Sequence, residues 1–376
     1  MEVYKICFPF ARLGHGGSFI STKTLIESLS KYDELNISVA LPKAIETNIF
    51  SSLSCTVNYE KKNSKYLLLN HPFLIFRFFA NLKHVILAIK YLHQHKPDIL
   101  HINDSRTMLI WGIAAKLRNI PVIWHVRDQA KKYDRIRLKL ASVLLFNTKG
   151  SMLRFNTHQN KLFYVVPNVV SPQELFPPKN KDNAKAKLGI NPNQRVIGLV
   201  SNLKPIKRIE LFLEIALMFK DSGHVFLLVG RDGETNYYRD VINSFKLQNG
   251  LDDLIYLGER RDTSTIYQAL DVFCLTSKQE TFGRVLAEAM LCEVPCVAYN
   301  VKGVDEVIKD QVTGFLAENT GQFYDCIKKL LDDDDLRQKM GKSGRNYVLK
   351  NHHPDEVVQL ILSHYKRIRS GPNDVK

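Results

Sequence analysis

The sequence predicts an α/β protein made of two Rossmann-like, doubly wound domains. Three observations carry the prediction. Short apolar runs alternate with amphipathic stretches along nearly the whole chain. At 376 residues the chain is long for one hydrophobic core and suits two domains of ordinary size. A polar segment from Ser171 to Asp182, with Pro172, Pro177 and Pro178, interrupts the alternation and reads as a linker. The expected domains are 1–172 and 173–353, followed by a terminal segment 354–376. Two such halves on a short linker would enclose a deep cleft, the usual place for a ligand.

In the first half, strands are expected at Tyr4–Phe8, Asn36–Leu41, Ile99–Ile102, Val122–Val126, Val143–Asn147 and Phe163–Val166. Most are short, apolar and bounded by polar or turn residues, as buried parallel strands are. Helices are expected over about 18–31, 72–94, 105–118 and 129–141. The second half repeats the pattern. Its strands are expected at Val196–Ser201, Val225–Val229, Leu254–Leu257, Val272–Leu275, Cys296–Ala298 and near Phe315. Its helices are expected over 208–220, 235–248, 263–270, 282–292, 320–331 and 334–350. Pro354 then opens a last helix to about 369, with Val357, Val358, Ile361, Leu362 and Tyr365 at helical spacing.

Charge is distributed unevenly. Of the formal +15, residues 1–170 carry +14, from 24 lysines and arginines against 10 acidic residues. A basic half implies an anionic partner, such as a phosphorylated substrate, a phospholipid surface or nucleic acid. The aromatic and cationic stretch 72–94 and the basic run 129–139 are the segments that could meet anionic lipid; a core helix and a solvated face are the competing readings. No apolar run reaches the length of a membrane span, and the N-terminus reads as a strand and not as a signal peptide. The six cysteines are scattered and complete no zinc pattern; buried thiols in a reducing cytoplasm account for them. Asp332–Asp335, between two expected helices, reads as a helix cap and not a metal site.

The chemistry-bearing residues fall at the ends of expected strands. Glu280 and Glu288 frame the start of one helix, with Gly283 at the loop-to-helix turn. The backbone N–H groups of Gly283, Arg284 and Val285 would form an anion site suited to a pyrophosphate. Eight helical residues would span about 12 Å, so the carboxylates could take hydroxyls at opposite ends of a nucleoside diphosphate sugar. Lys207 follows the first strand of the second half, and Gly230 follows the next. In the first half, Gly16 and Gly17 open a helix after strand one, although the dinucleotide fingerprint is incomplete. Asn103 and Asp104 follow one strand; His125, Arg127 and Asp128 close another. Ligands of open α/β sheets gather at such ends. Each of these residues also has a plain reading: tight turn, core histidine, solvated helix.

The order of motifs tips the balance. After the glutamate pair come Pro295-Cys-Val297, Gly303-Val-Asp-Glu306 and Thr313-Gly-Phe315. This series closely resembles the C-terminal half of the retaining nucleotide-sugar glycosyltransferases of family 4, which have the GT-B fold. The resemblance is weaker over the first half.

The resemblance implies a cytoplasmic GT-B hexosyltransferase, possessing two domains that face each other across a cleft and a last helix that crosses back to the first domain. It implies retention at the anomeric carbon and no cofactor beyond a UDP- or GDP-type donor. Glu288 would hold the ribose and Glu280 the sugar. His125 would sit near the anomeric centre, with Lys207, Gly230 and the Gly283–Val285 amides on the nucleotide. Gly16 and Gly17 would lie near donor phosphate and acceptor. Asn103, Asp104, Arg127 and Asp128 are the acceptor candidates. One departure is clear: Asn202 stands where the family usually has a phosphate-binding arginine, and Lys204, Arg208 or Arg284 would have to supply that charge. The expected partners are the donor, a glycan or lipid-linked acceptor in bacterial surface polysaccharide assembly, and an anionic membrane face; nucleic acid is not expected. The alternatives are a GT-B nucleotide-sugar epimerase and a non-enzymatic binder of anionic membrane or polymer.

Overall fold

The computed structural model describes residues 3–10, 16–41, 50, 56–58, 74–127, 134–153, 155, 162–173, 175–233 and 237–370. The chain divides into two compact units, Met1–Val169 with Pro354–Lys376, and Val170–His353.

The first unit holds a seven-stranded sheet in the order β3-β2-β1-β4-β5-β6-β7. The strands are β1 (Tyr4–Pro9), β2 (Leu35–Leu41), β3 (Thr56–Asn58), β4 (Ile99–Ile102), β5 (Val122–Val126), β6 (Val143–Phe146) and β7 (Leu162–Val165). Every pairing is parallel. Parallel strands need crossovers, supplied among the described residues by α1 (Gly17–Leu29), α2 (Leu74–His95), α3 (Ser105–Leu117), α4 (Asp134–Leu140) and α5 (Lys149–Leu153). These helices cover both faces. Phe8, Leu25, Ile123 and Leu145 lie in one layer of core; Ala88, Trp111, Trp124 and Phe146 lie in the other. Coverage on both faces explains why β4 and β5 are buried at every position.

The second unit repeats the plan in six parallel strands, ordered β10-β9-β8-β11-β12-β13. They are β8 (Val196–Val200), β9 (Val225–Val229), β10 (Leu254–Tyr256), β11 (Val272–Leu275), β12 (Cys296–Tyr299) and β13 (Gly314–Ala317). Around them lie α6 (Lys181–Lys187), α7 (Ile209–Met218), α8 (Tyr237–Asn249), α9 (Thr263–Ala269), α10 (Arg284–Leu291), α11 (Thr320–Asp332) and α12 (Asp334–Asn351). The last helix, α13 (Pro354–Ser370), belongs to the first unit. Val357, Val358, Ile361, Leu362 and Tyr365 are buried there against Ile6, Leu25 and Leu145.

Two expectations need correction. Ser171–Asp182 is not a free linker. Val170 and Leu175 are buried in the core of the second unit, and Asn180 caps α6 by accepting from the amides of Asp182 and Asn183. Lys185 on α6 is only 3% exposed, 3.1 Å from the buried Asp271. Helix α10 also begins two residues later than expected, at Arg284, so the stretch from Glu280 to Glu288 is only half helical and the eight-residue helical span assumed for it does not hold. The acidic run acts as a cap: Asp333 accepts from the Leu336 amide at 2.8 Å, and Asp334 pairs with Arg195 and Arg337.

No described helix is long and apolar enough to cross a membrane. On α2, Val85, Ala88, Tyr91 and Leu92 are buried, whereas Leu82 and Ile86 are exposed.

Candidate active site

In each unit the strand order reverses next to the first strand: between β1 and β4, and between β8 and β11. Loops leaving the C-terminal ends of such neighbours diverge to opposite faces and leave a crevice, the general ligand position of doubly wound sheets. The named residues collect at these two places.

In the second unit, two loops are bolted together. The segment after β8 carries a 3₁₀ turn at Pro205–Lys207. The segment after β11 runs from Thr276 to Gly283. The Lys278 amide donates to the Ile206 carbonyl at 2.9 Å, and the Thr276 hydroxyl donates to the Lys207 carbonyl at 2.8 Å. Arg208 closes the junction. Its backbone is left-handed, with φ 48°, and its guanidinium donates to the Thr276 carbonyl at 2.7 Å while lying 4.2 Å from the centre of the Tyr299 ring. This strained turn is held by bonds on both sides.

On that frame, Lys207 forms an ion pair with Glu280, whose Oε1 also accepts from the Ser277 hydroxyl at 2.8 Å. Glu280 is 9% exposed, which leaves a small opening. Gly283 then starts α10 with φ 77°, a conformation costly to any residue with a Cβ. Gly283, as the N-cap, makes no side-chain cap bond at this end, and helix starts of this kind favour anions. One turn on, Glu288 has both oxygens engaged. Arg284 Nε donates to Oε1 at 2.7 Å and the Tyr267 hydroxyl to Oε2 at 2.8 Å. Gly230 follows β9, where a Cβ would collide with the Ser201 carbonyl, so the two strand ends meet backbone to backbone.

Asn202 lies beside this frame and is exposed. Of the substitutes for the missing arginine, Arg208 is committed to the Thr276 carbonyl and Tyr299, and Arg284 to Glu288. Lys204 is exposed and remains the best placed of the three.

In the first unit, the site residues form a buried polar network. Arg127 is 4% exposed. It donates to Asn103 Oδ1 at 2.9 Å, to Asn168 Oδ1, and to His125 Nδ1 at 3.2 Å. His101 Nε2 lies 3.4 Å from the same His125 nitrogen, and His101 Nδ1 lies 2.7 Å from the Tyr365 hydroxyl on α13. Because Arg127 can only donate, His125 Nδ1 must accept. Burial, followed by the charge of Arg127, holds both histidines well below their ordinary pKa, so both are neutral.

This arrangement changes several expectations. His125 is fully buried, so its ring belongs to the interior network and presents no exposed face. Arg127 is likewise an interior scaffold and not an open acceptor contact. Asp104 is a helix cap: its carboxylate accepts from the amides of Arg106 and Thr107, the latter at 2.9 Å. Gly16 caps the start of α1 and Gly17 is its first residue. Asp128 lies outside the described residues. Sequence reasoning missed Tyr267, Ser277, His101, Asn168 and Tyr365. For Asn168 the available signal is its place directly after Pro167 in a Pro-Asn turn.

The family model for glycosyl transferases group 1 matches residues 180–347, the part that contains the Lys207–Glu280 and Arg284–Glu288 pairs. The chain is 29% identical over 310 residues, 76% of this chain and 79% of the relative, to the UDP-Gal:alpha-D-GlcNAc-diphosphoundecaprenol alpha-1,3-galactosyltransferase of Escherichia coli. It is 28% identical over 295 residues, 72% of this chain and 77% of the relative, to the capsular polysaccharide biosynthesis glycosyltransferase CapM of Staphylococcus aureus. Other curated relatives are matched over only about half of their length. Among solved structures, HepE of Anabaena, in complex with UDP and glucose, superposes with a TM-score of 0.80 at 20% identity, over 97% of this chain and 100% of that one. The fold is therefore GT-B, two Rossmann-like units in one chain, and the chain is related to glycosyltransferases.

Proposed function

We propose that the protein is a retaining glycosyltransferase that moves a sugar from a nucleoside diphosphate donor to a hydroxyl of a glycan or lipid-linked acceptor in bacterial polysaccharide assembly. The observation that carries the reading is the pairing of Lys207 with Glu280 beside the Gly283 start of α10, with Glu288 one turn further on. The diphosphate takes the α10 amides and Lys207; the ribose hydroxyls take Glu288; the sugar hydroxyls take Glu280. The bond between the anomeric carbon and the phosphate oxygen breaks, and a bond to the acceptor oxygen forms on the same face. The acceptor proton passes to the departing phosphate, so no side-chain base is required. Lys207 and the helix amides stabilise the charge that develops on the leaving group. The relative from Escherichia coli is named for UDP-Gal and a diphosphoundecaprenol acceptor, which makes a UDP-sugar and a lipid diphosphate the first pair to test.

The test is release of nucleoside diphosphate from UDP- and GDP-sugars, with and without a lipid-diphosphate-linked N-acetylglucosamine. Acceptor-dependent release with the donor's anomeric configuration kept in the product supports the reading. An inverted product, seen in the proton coupling, contradicts it, and donor turnover indifferent to acceptor points to an epimerase.

The basic first half fits a peripheral position on the inner membrane face. Arg135, Ile136 and Lys139 are exposed on α4. Arg137 donates to the Ser105 carbonyl at 2.6 Å and holds α4 to α3. Lys131 and Lys132 lie outside the described residues. Sedimentation with phosphatidylglycerol liposomes at low salt and release at high salt is expected; protein left in the supernatant at low salt contradicts it.

A further inference from the structure

Glu288 is held from two sides by groups of different kinds. Arg284 reaches it along its own helix, four residues away, and occupies Oε1 at 2.7 Å. Tyr267 reaches it from α9 and occupies Oε2 at 2.8 Å. Tyr267 is fully buried, its ring centre 5.9 Å from that of Phe273 on β11, so the phenol enters from the core. Burial first, and the Glu288 carboxylate second, hold the hydroxyl well above its ordinary pKa; it stays protonated and can only serve Glu288 as a donor. An ionised carboxylate has about four lone-pair positions, so the two bonds fix its plane and leave acceptor capacity for hydroxyls of a ligand. Without the second bond, the carboxylate is free to swing toward Arg284, whose planar fork favours a two-bond grip.

We infer that Tyr267 is a positioning residue for the donor: its hydroxyl locks the plane of the Glu288 carboxylate and so sets recognition of the ribose hydroxyls. Tyr267 touches no ligand. It acts through Glu288, and the inference rests on the ribose role proposed above for that glutamate. No motif marks it, because Tyr267 sits beside the apolar Ile266 on α9, 21 residues before its partner.

The experiment is calorimetric binding of UDP and GDP, each beside its 2′-deoxy and 3′-deoxy analogue, to wild type, Glu288→Ala and Tyr267→Phe. Phenylalanine keeps the ring against Phe273 and removes only the hydroxyl. Wild type is expected to prefer the better-bound ribonucleotide over its deoxy analogues by about tenfold or more, the worth of a hydrogen bond to a charged group. Glu288→Ala should abolish the preference. Tyr267→Phe should reduce it roughly fivefold while the deoxy analogues bind as they do to wild type, and donor KM should rise with kcat little changed. A preserved preference in Tyr267→Phe overturns the inference and leaves the ribose role of Glu288 standing. So does an equal loss for all ligands, which marks a general structural defect. If Glu288→Ala keeps the preference, or wild type binds neither nucleotide, the ribose assignment fails and the inference falls with it.

Discussion

The two units carry site residues on the same kind of sheet edge, but they hold them with opposite chemistry. In the second unit the holding groups are charged pairs that are partly or largely buried: Lys207 with Glu280 and Arg284 with Glu288. In the first unit one buried guanidinium is surrounded by neutral groups: Asn103, Asn168 and two uncharged histidines. A charged pair that keeps some exposure can exchange partners. Lys207 can leave Glu280 for a diphosphate, and Glu280 can then turn to a hydroxyl. A buried network around one guanidinium cannot exchange cheaply, since each broken bond leaves a buried polar group unmet. The second unit is thus suited to taking up and releasing an anionic ligand, and the first to fixing a shape.

Several perturbations would break or sharpen this contrast. The largest effect is expected from Glu280→Ala. Turnover should fall by about two to three orders of magnitude, as for loss of a preorganised polar contact on the transferred sugar, while calorimetric affinity for the free nucleotide stays near wild type. Equal losses in both would place Glu280 on the nucleotide instead. Next is Arg127→Met, which strands Asn103, Asn168 and His125 in the core. A stability loss of about 2–4 kcal/mol is expected from urea unfolding; a loss below about 0.5 kcal/mol would show that the network is not structural.

Acid should separate the units. His101 and His125 have pKa values lowered by burial in the folded chain, whereas the unfolded chain protonates them near the ordinary value of about 6.5. Stability from these groups is therefore complete above about pH 6.5 and is lost as pH falls below it, by about 1.4 kcal/mol per pH unit for each histidine. Both tryptophans, Trp111 and Trp124, lie in the first unit, so tryptophan fluorescence reports on that unit alone. Urea midpoints should drop between pH 7.5 and 5.5, and an unchanged midpoint would contradict neutral burial. The smallest effect is expected from Asn202→Arg. Added charge beside Lys207 should raise nucleotide affinity a few-fold, on the order of 1 kcal/mol; no gain would mean that Lys204 already fills the role.

Much of the architecture was legible because it depends on apolar runs. β4, β5, β9 and β11 occur at the residues expected, since strands buried on both faces show as short apolar runs. Helix α6 was hidden because its buried contact is a lysine on Asp271, which no hydrophobic period reveals. The three residues of β3 and the five of α5 are too short to leave a period. At the site, Lys207, Glu280, Gly283 and Glu288 stand in ordered motifs and are visible as candidates. Tyr267 and Ser277 stand in none, because they reach Glu288 and Glu280 through space. His125 was picked for its strand-end position, yet its ring meets Arg127 and His101, and His101 in turn meets Tyr365 on α13, which arrives more than two hundred residues later.

The central claim is that a nucleoside diphosphate binds the second unit between Lys207 and the start of α10. Calorimetric titration of UDP and GDP into wild type and Lys207→Ala tests it most directly. One of the two nucleotides should bind wild type, and the variant should bind it at least about tenfold more weakly, the loss of a charge-assisted contact. Equal affinity for that nucleotide in a folded Lys207→Ala protein would contradict the account.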